Sequence, residues 1–323
     1  MNTLILSYRE IQSIIDMDMV VEAVEEAFAE YGRGKTIMPP KVYLPLEQYG
    51  GDFRAMPAFV NGSAGLKWVN AHPENRKTAG LPAVMAIIIY SDPSTGFPLA
   101  VMDGTIITNY RTGAAGAVAA KYLAKAESKS IGLIGCGAQA KSQLMAISKV
   151  FELDLVRIFD QSEDTMDAFV EENSSLRIEK SSIEAAAGSD IVCTTTPARE
   201  PIVKREWIKH GTHINAVGAD AKGKQELDPQ ILRDAKVVVD DITQASHSGE
   251  INVPLRNGVF KTGDVYAGLG EIVAGRKPGR EANEITVFDS TGLAIQDVAT
   301  ARIVFEKAKK LGVGSEIDLI SQQ

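Results

Sequence analysis

A glycine-rich turn, set between a strand-like run and a helix-like run, constrains this chain more than any other feature. The stretch "SIGLIGCGAQAKSQLMAISKVF" begins at Ser130. "SIGLIG" is apolar and β-rich, and Ala140, Leu144, Ile147 and Phe151 then recur at helical spacing. Between them Gly135, Gly137 and Ala140 form G-x-G-x-x-A, with Ala138 and Gln139 opening the helix. In such a motif the first glycine permits a tight turn. The second lets the backbone approach a pyrophosphate, and the third small residue lets helix and strand pack closely. The helix start adds free N–H groups and a positive dipole end. Alone the motif is weak, since an unrelated α/β protein also uses tight turns. Its context strengthens it. The next strand, "LVRIFD", ends at Asp160, 20 residues beyond Ala140, the spacing of a carboxylate that binds the adenine ribose. Asp160 would repel a 2′-phosphate, and Gln161 and Ser162 after it supply no cation. NAD is therefore expected over NADP.

A dinucleotide fold usually opens with its glycine loop, yet 129 residues precede Ser130. At 323 residues the chain is long enough for two domains. Residues 17–31 place Val20, Val24, Ala27 and Tyr31 on one helical face, and Gly32 stops the helix. The runs "KVYLPL", "FRAMPAFV", "AGLKWVNAH", "AVMAIIIYSD" and "PLAVMDGTIITN" then read as short strands, so residues 36–109 are expected to form an antiparallel sheet with one helix in front. Residues 111–125 read as a small-residue helix leading onward. After Ser130 strands and helices alternate. "DIVCTTTP", "THINAVGAD", "KVVVDD" and "EITVFDSTG" read as parallel strands covered on both faces. A last helix starts near Leu293, with Ala294, Val298, Ala301, Phe305 and Ala308 on one face and Gly312 at its end.

Hydrophobic residues make up 45% of the chain and charged residues 24%, as in ordinary globular enzymes. The net charge of −8 disfavours nucleic acid as a partner, because phosphate binding needs a basic surface. No apolar run approaches the ~18 residues of a membrane span. "MNTLILSYREIQ" has neither a basic segment nor a long apolar one, so no signal peptide is expected there. Cys136 and Cys193 lie in apolar runs and read as buried free thiols, which suits the cytoplasm. His210 and His213 have an HxxH spacing, but Gly-Thr separates them at a helix end, and no metal site is expected.

The segments "PPKVYL", "RAMPA", "GLKWVNAHP", "TGFPLAVMD", "NYRTGAAG", "GCGAQA", "GTHINAVGAD", "GKQELD" and "FDSTGLAIQD" together resemble the ornithine cyclodeaminase/mu-crystallin family, in order over nearly the whole chain. Within it the chain looks most like the archaeal-type alanine dehydrogenases. The resemblance implies an α/β protein in which a Rossmann NAD-binding domain (113–298) is inserted into an α+β substrate and dimerisation domain (1–112 plus 299–323). It also implies a homodimer and a small amino-acid substrate.

Amino-acid dehydrogenation needs cations for the carboxylate, a neutral amine at hydride departure, and an activated water. Lys41, Arg54, Lys67 and Arg111 each interrupt an apolar run; taken singly, each reads equally as a solvated surface cation. Lys67 sits among Leu66, Trp68 and Val69, where desolvation would lower its pKa and let it shuttle protons. The resemblance assigns the active-site lysine to Lys67. It matches Lys41 to a substrate-binding cation and Arg111 to a residue near the cofactor pyrophosphate. An arginine at Arg54 can grip a carboxylate with two parallel hydrogen bonds. Asp220 follows the strand that ends in Gly218 and Ala219, at a sheet edge where ligands bind. The resemblance makes it a catalytic base or amine anchor, and a turn aspartate is the plain alternative. Thr196, Val217, Lys224 and Ser290 match cofactor-lining positions. The family's cyclodeaminases carry a glutamate where this chain has Arg54, which would repel ornithine's side-chain ammonium. Alanine dehydrogenation is therefore expected, ahead of ornithine cyclodeamination, ketimine reduction or a mu-crystallin-like binding role. Asp160→Ala is expected to weaken NAD binding and narrow the gap to NADP; equal affinities of the unaltered protein for the two cofactors, by titration, would refute the preference.

Overall fold

The computed structural model describes residues 2–320. The chain divides into two compact units, Met1–Arg111 with Leu293–Gln323, and Thr112–Gly292. The first begins with β1 (Thr3–Leu6), α1 (Tyr8–Ile14) and α2 (Met17–Gly32). Ser7 and Glu10 form a reciprocal cap on α1, and Asp16 accepts from the Asp18 N–H at the start of α2. Then come β2 (Val42–Leu46), β3 (Gly51–Val60), β4 (Ser63–Ala71), the single turn α3 (Asn75–Thr78), β5 (Val84–Ser91) and β6 (Pro98–Asp103). β2 to β6 form an antiparallel meander, as alternating burial along β3, β4 and β5 requires. α4 (Gly104–Leu123) follows without a loop. "GTIITN" is thus helix, although its β-branched residues read as strand. The Asp103 carboxylate accepts from the Ile106 N–H at 2.9 Å and starts the helix there, and tertiary burial of Ile106 and Ile107 overrides propensity.

The second unit holds β7 (Ser130–Ile134), α5 (Ala138–Ile147), β8 (Leu155–Phe159), α6 (Glu163–Glu172), β9 (Ile178–Lys180), α7 (Ile183–Ala187), β10 (Ile191–Thr194) and β11 (His213–Ala216). It continues through α8 (Pro229–Asp234), β12 (Ala235–Val239), α9 (Ile242–Ser248), α10 (Asn252–Arg256), β13 (Ala267–Gly268), α11 (Leu269–Val273) and β14 (Ile285–Asp289). All eight strands are parallel, in the order β13-β12-β14-β11-β10-β7-β8-β9. β10, β11 and β14 are buried at every position, which explains their unbroken apolar runs. The chain order reverses between β7 and β10, the switch point at which open α/β sheets bind ligands.

The chain returns to the first unit through α12 (Ala294–Leu311), which ends at Gly312 with φ 66°, and β15 (Ser315–Ile317). α12 packs on β3, β4 and α2. Because the whole helix packs there, the second boundary falls at 292/293 rather than at 298/299. β1 and β15 extend the meander into a seven-stranded sheet, β1 parallel to β6 and β15 antiparallel to β1. Both were invisible in the sequence, being of four and three residues. α1 and α2 together replace the single expected leading helix. Among the described residues, no helix is long and apolar enough to cross a membrane.

Candidate active site

In the second unit the glycine loop joins β7 to α5. Gly135 has φ 91°, a left-handed conformation that favours glycine, and its N–H donates to Phe159 O at 2.8 Å. A methyl group on it would lie 3.0 Å from Thr196 Cγ2, so Thr196 abuts the loop. Gly137 is different. Its φ is −79°, and a methyl group there would meet no atom of the chain within 4 Å. Neither backbone nor packing demands glycine at Gly137, whereas close approach of a ligand does. It caps α5 with no side chain of its own, while Ala138 is exposed, Gln139 half-buried and Ala140 fully buried on the strand. These features fit a dinucleotide pyrophosphate.

Asp160 does more than end β8. Its Oδ2 accepts from the Cys136 N–H at 2.9 Å and its Oδ1 from the Ser162 N–H at 3.0 Å, so it ties the glycine loop to the next turn. Burial, and then the Asp160 charge, push the Cys136 thiol up to about 12, which keeps it protonated. The Ser162 hydroxyl is spent on capping α6, where it accepts from the Thr165 N–H, and Gln161 is exposed. Val217, Gly218, Ala219 and Ser290 follow β11 and β14. With Gly135 and Thr196 they lie at the C-terminal ends of four adjacent strands. Asp220 pairs with Lys224 at 2.5 Å. His213 is a core residue, 2.9 Å from Thr286 Oγ1 and 3.0 Å from Asn215 Oδ1. Burial, helped by the Arg280 charge, pushes it down to about 3 and leaves it neutral.

The first unit holds a second constellation. Lys67 on β4 occupies a cross-strand row with Leu6, Met102, Ile88 and Met56, all buried, so an ammonium sits in the apolar core. Its Nζ lies 2.8 Å from both oxygens of Asp297, which is fully buried in the first turn of α12. A carboxylate there is also favoured by the helix dipole. Nζ donates to Thr108 Oγ1 at 3.4 Å. One turn along α4, Arg111 donates from Nε to Asp297 Oδ1 and from Nη1 to Gln296 Oε1, both at 3.0 Å. One carboxylate thus serves two cations. Burial, followed by the Arg111 charge, lowers the Lys67 pKa to about 7; Asp297 pulls it up and Lys41 pushes it down. Lys67 can therefore hold or release a proton near neutral pH.

Arg54 lies on the Lys67 face, opposite Val69. Its Nε and Nη2 donate to Asp52 at 2.8 and 3.1 Å, and its guanidinium lies 5.3 Å from the Tyr43 ring centre. The two-pronged grip expected for a substrate is thus made by Asp52. Arg111, expected beside a pyrophosphate, has its Nε and Nη1 on Asp297 and Gln296. Asp297, Gln296 and Thr108 went unnoticed in the sequence. A signal for Asp297 existed: it lies one helical turn from Ala294 and Ala301, inside the apolar stripe of its helix.

A parallel dinucleotide fold inserted into an α+β unit that carries a buried lysine–aspartate pair defines a class of two-unit, nucleotide-dependent proteins. A family model described as "Ornithine cyclodeaminase/mu-crystallin family" matches residues 1–312, and the chain belongs to that family. It is 55% identical over 320 residues to an alanine dehydrogenase of Archaeoglobus fulgidus, covering 98% of each chain. Among solved structures, an archaeal alanine dehydrogenase dimer with bound NAD has a TM-score of 0.96 at 54% identity, covering 99% of this chain and 100% of that one. The Δ1-pyrroline-2-carboxylate reductase of Thermococcus litoralis, with NADH and L-proline, has a TM-score of 0.94 at 42% identity, covering 98% of this chain and 100% of that one.

Lys67 is lowered on folding from 10.5 to about 7, so between those values the unfolded chain holds the proton more tightly. Its burial therefore weighs fully against folding below about pH 7 and is relieved as pH rises. Asp297→Asn is expected to lower the Lys67 pKa further and to cost about 3–5 kcal/mol of stability near pH 6, as breaking a buried ion pair does. The loss should be smaller near pH 9, where Lys67 is neutral. Urea melts at both pH values check this, and equal losses would contradict it.

Proposed function

We propose that this chain is an NAD-dependent L-alanine dehydrogenase: L-alanine, water and NAD give pyruvate, ammonium, NADH and a proton. Lys67 carries the reading, as a buried ammonium with a near-neutral pKa in a chain 55% identical throughout to an alanine dehydrogenase. The nicotinamide, when bound, supplies the acceptor for the hydride leaving Cα. Gly135, Gly137 and the start of α5 would hold the pyrophosphate, Asp160 the ribose, and Thr196, Val217, Gly218, Ala219 and Ser290 the nicotinamide half. Lys41 would bind the substrate carboxylate, and Arg54, held in place by Asp52, would add its charge beside it. Arg111 orients Asp297, and Asp297 orients Lys67. Neutral Lys67 takes a proton as the amine becomes an imine, then returns it as water adds and ammonia leaves. Asp220 is assigned to the substrate amine, with Lys224 as its partner in the free protein. Two buried free cysteines suit a cytoplasmic enzyme. Reduction of a cyclic ketimine is the second reading, favoured by the 42% identity to the pyrroline-carboxylate reductase.

A homodimer built through the first unit belongs to the same reading. One face of its sheet is covered by α12; the other presents Val42, Trp68 and Ile87 in one cross-strand row, 63%, 41% and 53% exposed. Phe53 stacks on Trp68 beside this row, with ring centres 5.2 Å apart. Such an apolar face is a partner-binding surface. Trp68→Glu is expected to convert a dimer to a monomer; sedimentation of the unaltered protein as a monomer at micromolar concentration would contradict the assembly.

Alanine with NAD should give net NADH, read by its absorbance. A cyclodeaminase would return the hydride within each turnover, and L-proline would be the preferred donor for the second reading. Lys67→Met should leave NAD binding intact and lower turnover about 10²–10⁴-fold, the range for a positioned acid/base. Near-normal turnover at saturating alanine would leave Lys67 a binding role only.

A further inference from the structure

The "GKQELD" segment contains a carboxylate that the mechanism above leaves unused. Glu226 is fully buried. Four donors converge on it. Thr196 N–H and Thr196 Oγ1 donate to Oε1 at 2.6 and 2.8 Å. Thr194 Oγ1 and Gly218 N–H donate to Oε2 at 2.7 and 2.9 Å. Thr194 ends β10 and Gly218 follows β11, so one side chain ties together the ends of two neighbouring strands. Thr196 and its neighbour Thr195 both pack against Gly135 of the glycine loop, and Thr195 Oγ1 donates to Gly135 O at 3.1 Å. Gly218 is held so close that a methyl group on it would lie 2.6 Å from Glu226 Cδ.

Glu226 is itself held in place by a series of buried carboxylates. The Glu226 and Leu227 N–H groups donate to Glu250 Oε1 at 3.0 and 2.7 Å. The Glu250 and Ile251 N–H groups donate to the two oxygens of Asp289, at the end of β14, at 2.9 and 3.1 Å. Each carboxylate satisfies backbone donors of the loop that carries the next one. The series runs from β14 to the switch point between β10 and β7. Burial pushes the Glu226 carboxyl above the usual carboxylate range, and its donors pull it back.

We propose that Glu226 is a positioning residue for the dinucleotide, holding Thr196 against the glycine loop and Gly218 at the end of β11 in the geometry the cofactor meets. This rests on the cofactor roles given above to Thr196 and Gly218. Glu226→Gln is a sharp probe, because an amide has a single acceptor oxygen. Its NH2 group would face either the Thr196 or the Gly218 N–H, and that backbone donor would lose its partner. Titration calorimetry with NADH should show a dissociation constant about ten-fold higher, the change that one hydrogen bond is worth. KM for NAD should rise with it, while turnover at saturating NAD stays near that of the unaltered enzyme. Asp190→Asn is the control. Asp190 accepts from Lys129 N–H, Ser130 N–H and Ser130 Oγ at the opposite end of β7, so its loss should lower the melting temperature without moving NADH affinity. Should Glu226→Gln fail to fold, Glu226→Asp keeps the charge but shortens the reach, and it too must weaken NADH. Unchanged NADH affinity in a folded Glu226 variant overturns the proposal, whatever happens to stability. An unaltered chain that binds no NADH overturns the cofactor reading first, and this one with it.

Discussion

The buried Asp297 carboxylate, shared between Lys67 and Arg111, is the interaction on which the first unit depends. It joins three segments that the sequence keeps far apart: Lys67 and Asp297 are 230 residues distant, and Arg111 and Asp297 186. A lysine in an apolar row is tolerated only with a partner, and an arginine beside it doubles the demand. The chain must therefore return, after Thr112–Gly292, with a helix whose first turn carries an acid. The inserted unit is bracketed by α4 and α12, and both contribute to the same charge cluster. Two cations on one carboxylate also leave Lys67 under-compensated. That imbalance, added to burial, brings its pKa to the pH at which it can act on protons.

Carboxylates play a different part in the second unit. Asp160, Asp190, Glu226, Glu250 and Asp289 each accept from two or more backbone N–H or hydroxyl donors in loops at the ends of parallel strands. Parallel sheets leave such donors at every strand end, and buried loops must satisfy them. Acidic side chains do so at both edges of the sheet, Asp190 at the start of β7 and the other four at the C-terminal edge. Asp160 illustrates this, since it braces the glycine loop through Cys136 and the next turn through Ser162.

Much of this was legible in the sequence because it is local. The glycine loop, the strand before it, the helix after it and the acid 20 residues on lie within one short segment, and each has its own reason. The apolar stripes of α2 and α12 follow from a period of 3.6 residues. Lys67 stood out because a cation amid Leu66, Trp68 and Val69 contradicts its surroundings. The helical fate of "GTIITN" was not legible, because burial and the Asp103 cap outweigh β propensity. Nor were β1 and β15, which are too short to show a pattern and exist only through pairing with each other and with β6.

By itself, then, the order of residues determined most of the local elements and the glycine loop, and it singled out Lys67 as a cation in an apolar run, since these rest on neighbours within a turn or two. Only the tertiary structure decided which acid meets Lys67, that Arg54 is already gripped by Asp52, and that Glu226 braces the strand ends. The physical reason is common to all three. Asp297, Asp52 and Glu226 each read in sequence as an ordinary polar residue on a helix, strand or loop. What each one binds is set by the demand that no buried charge or backbone donor go unpaired. That demand is met across long sequence distances, as with Asp297, and between neighbours on one face of a strand, as with Asp52 and Arg54, where only the folded structure shows which partners meet.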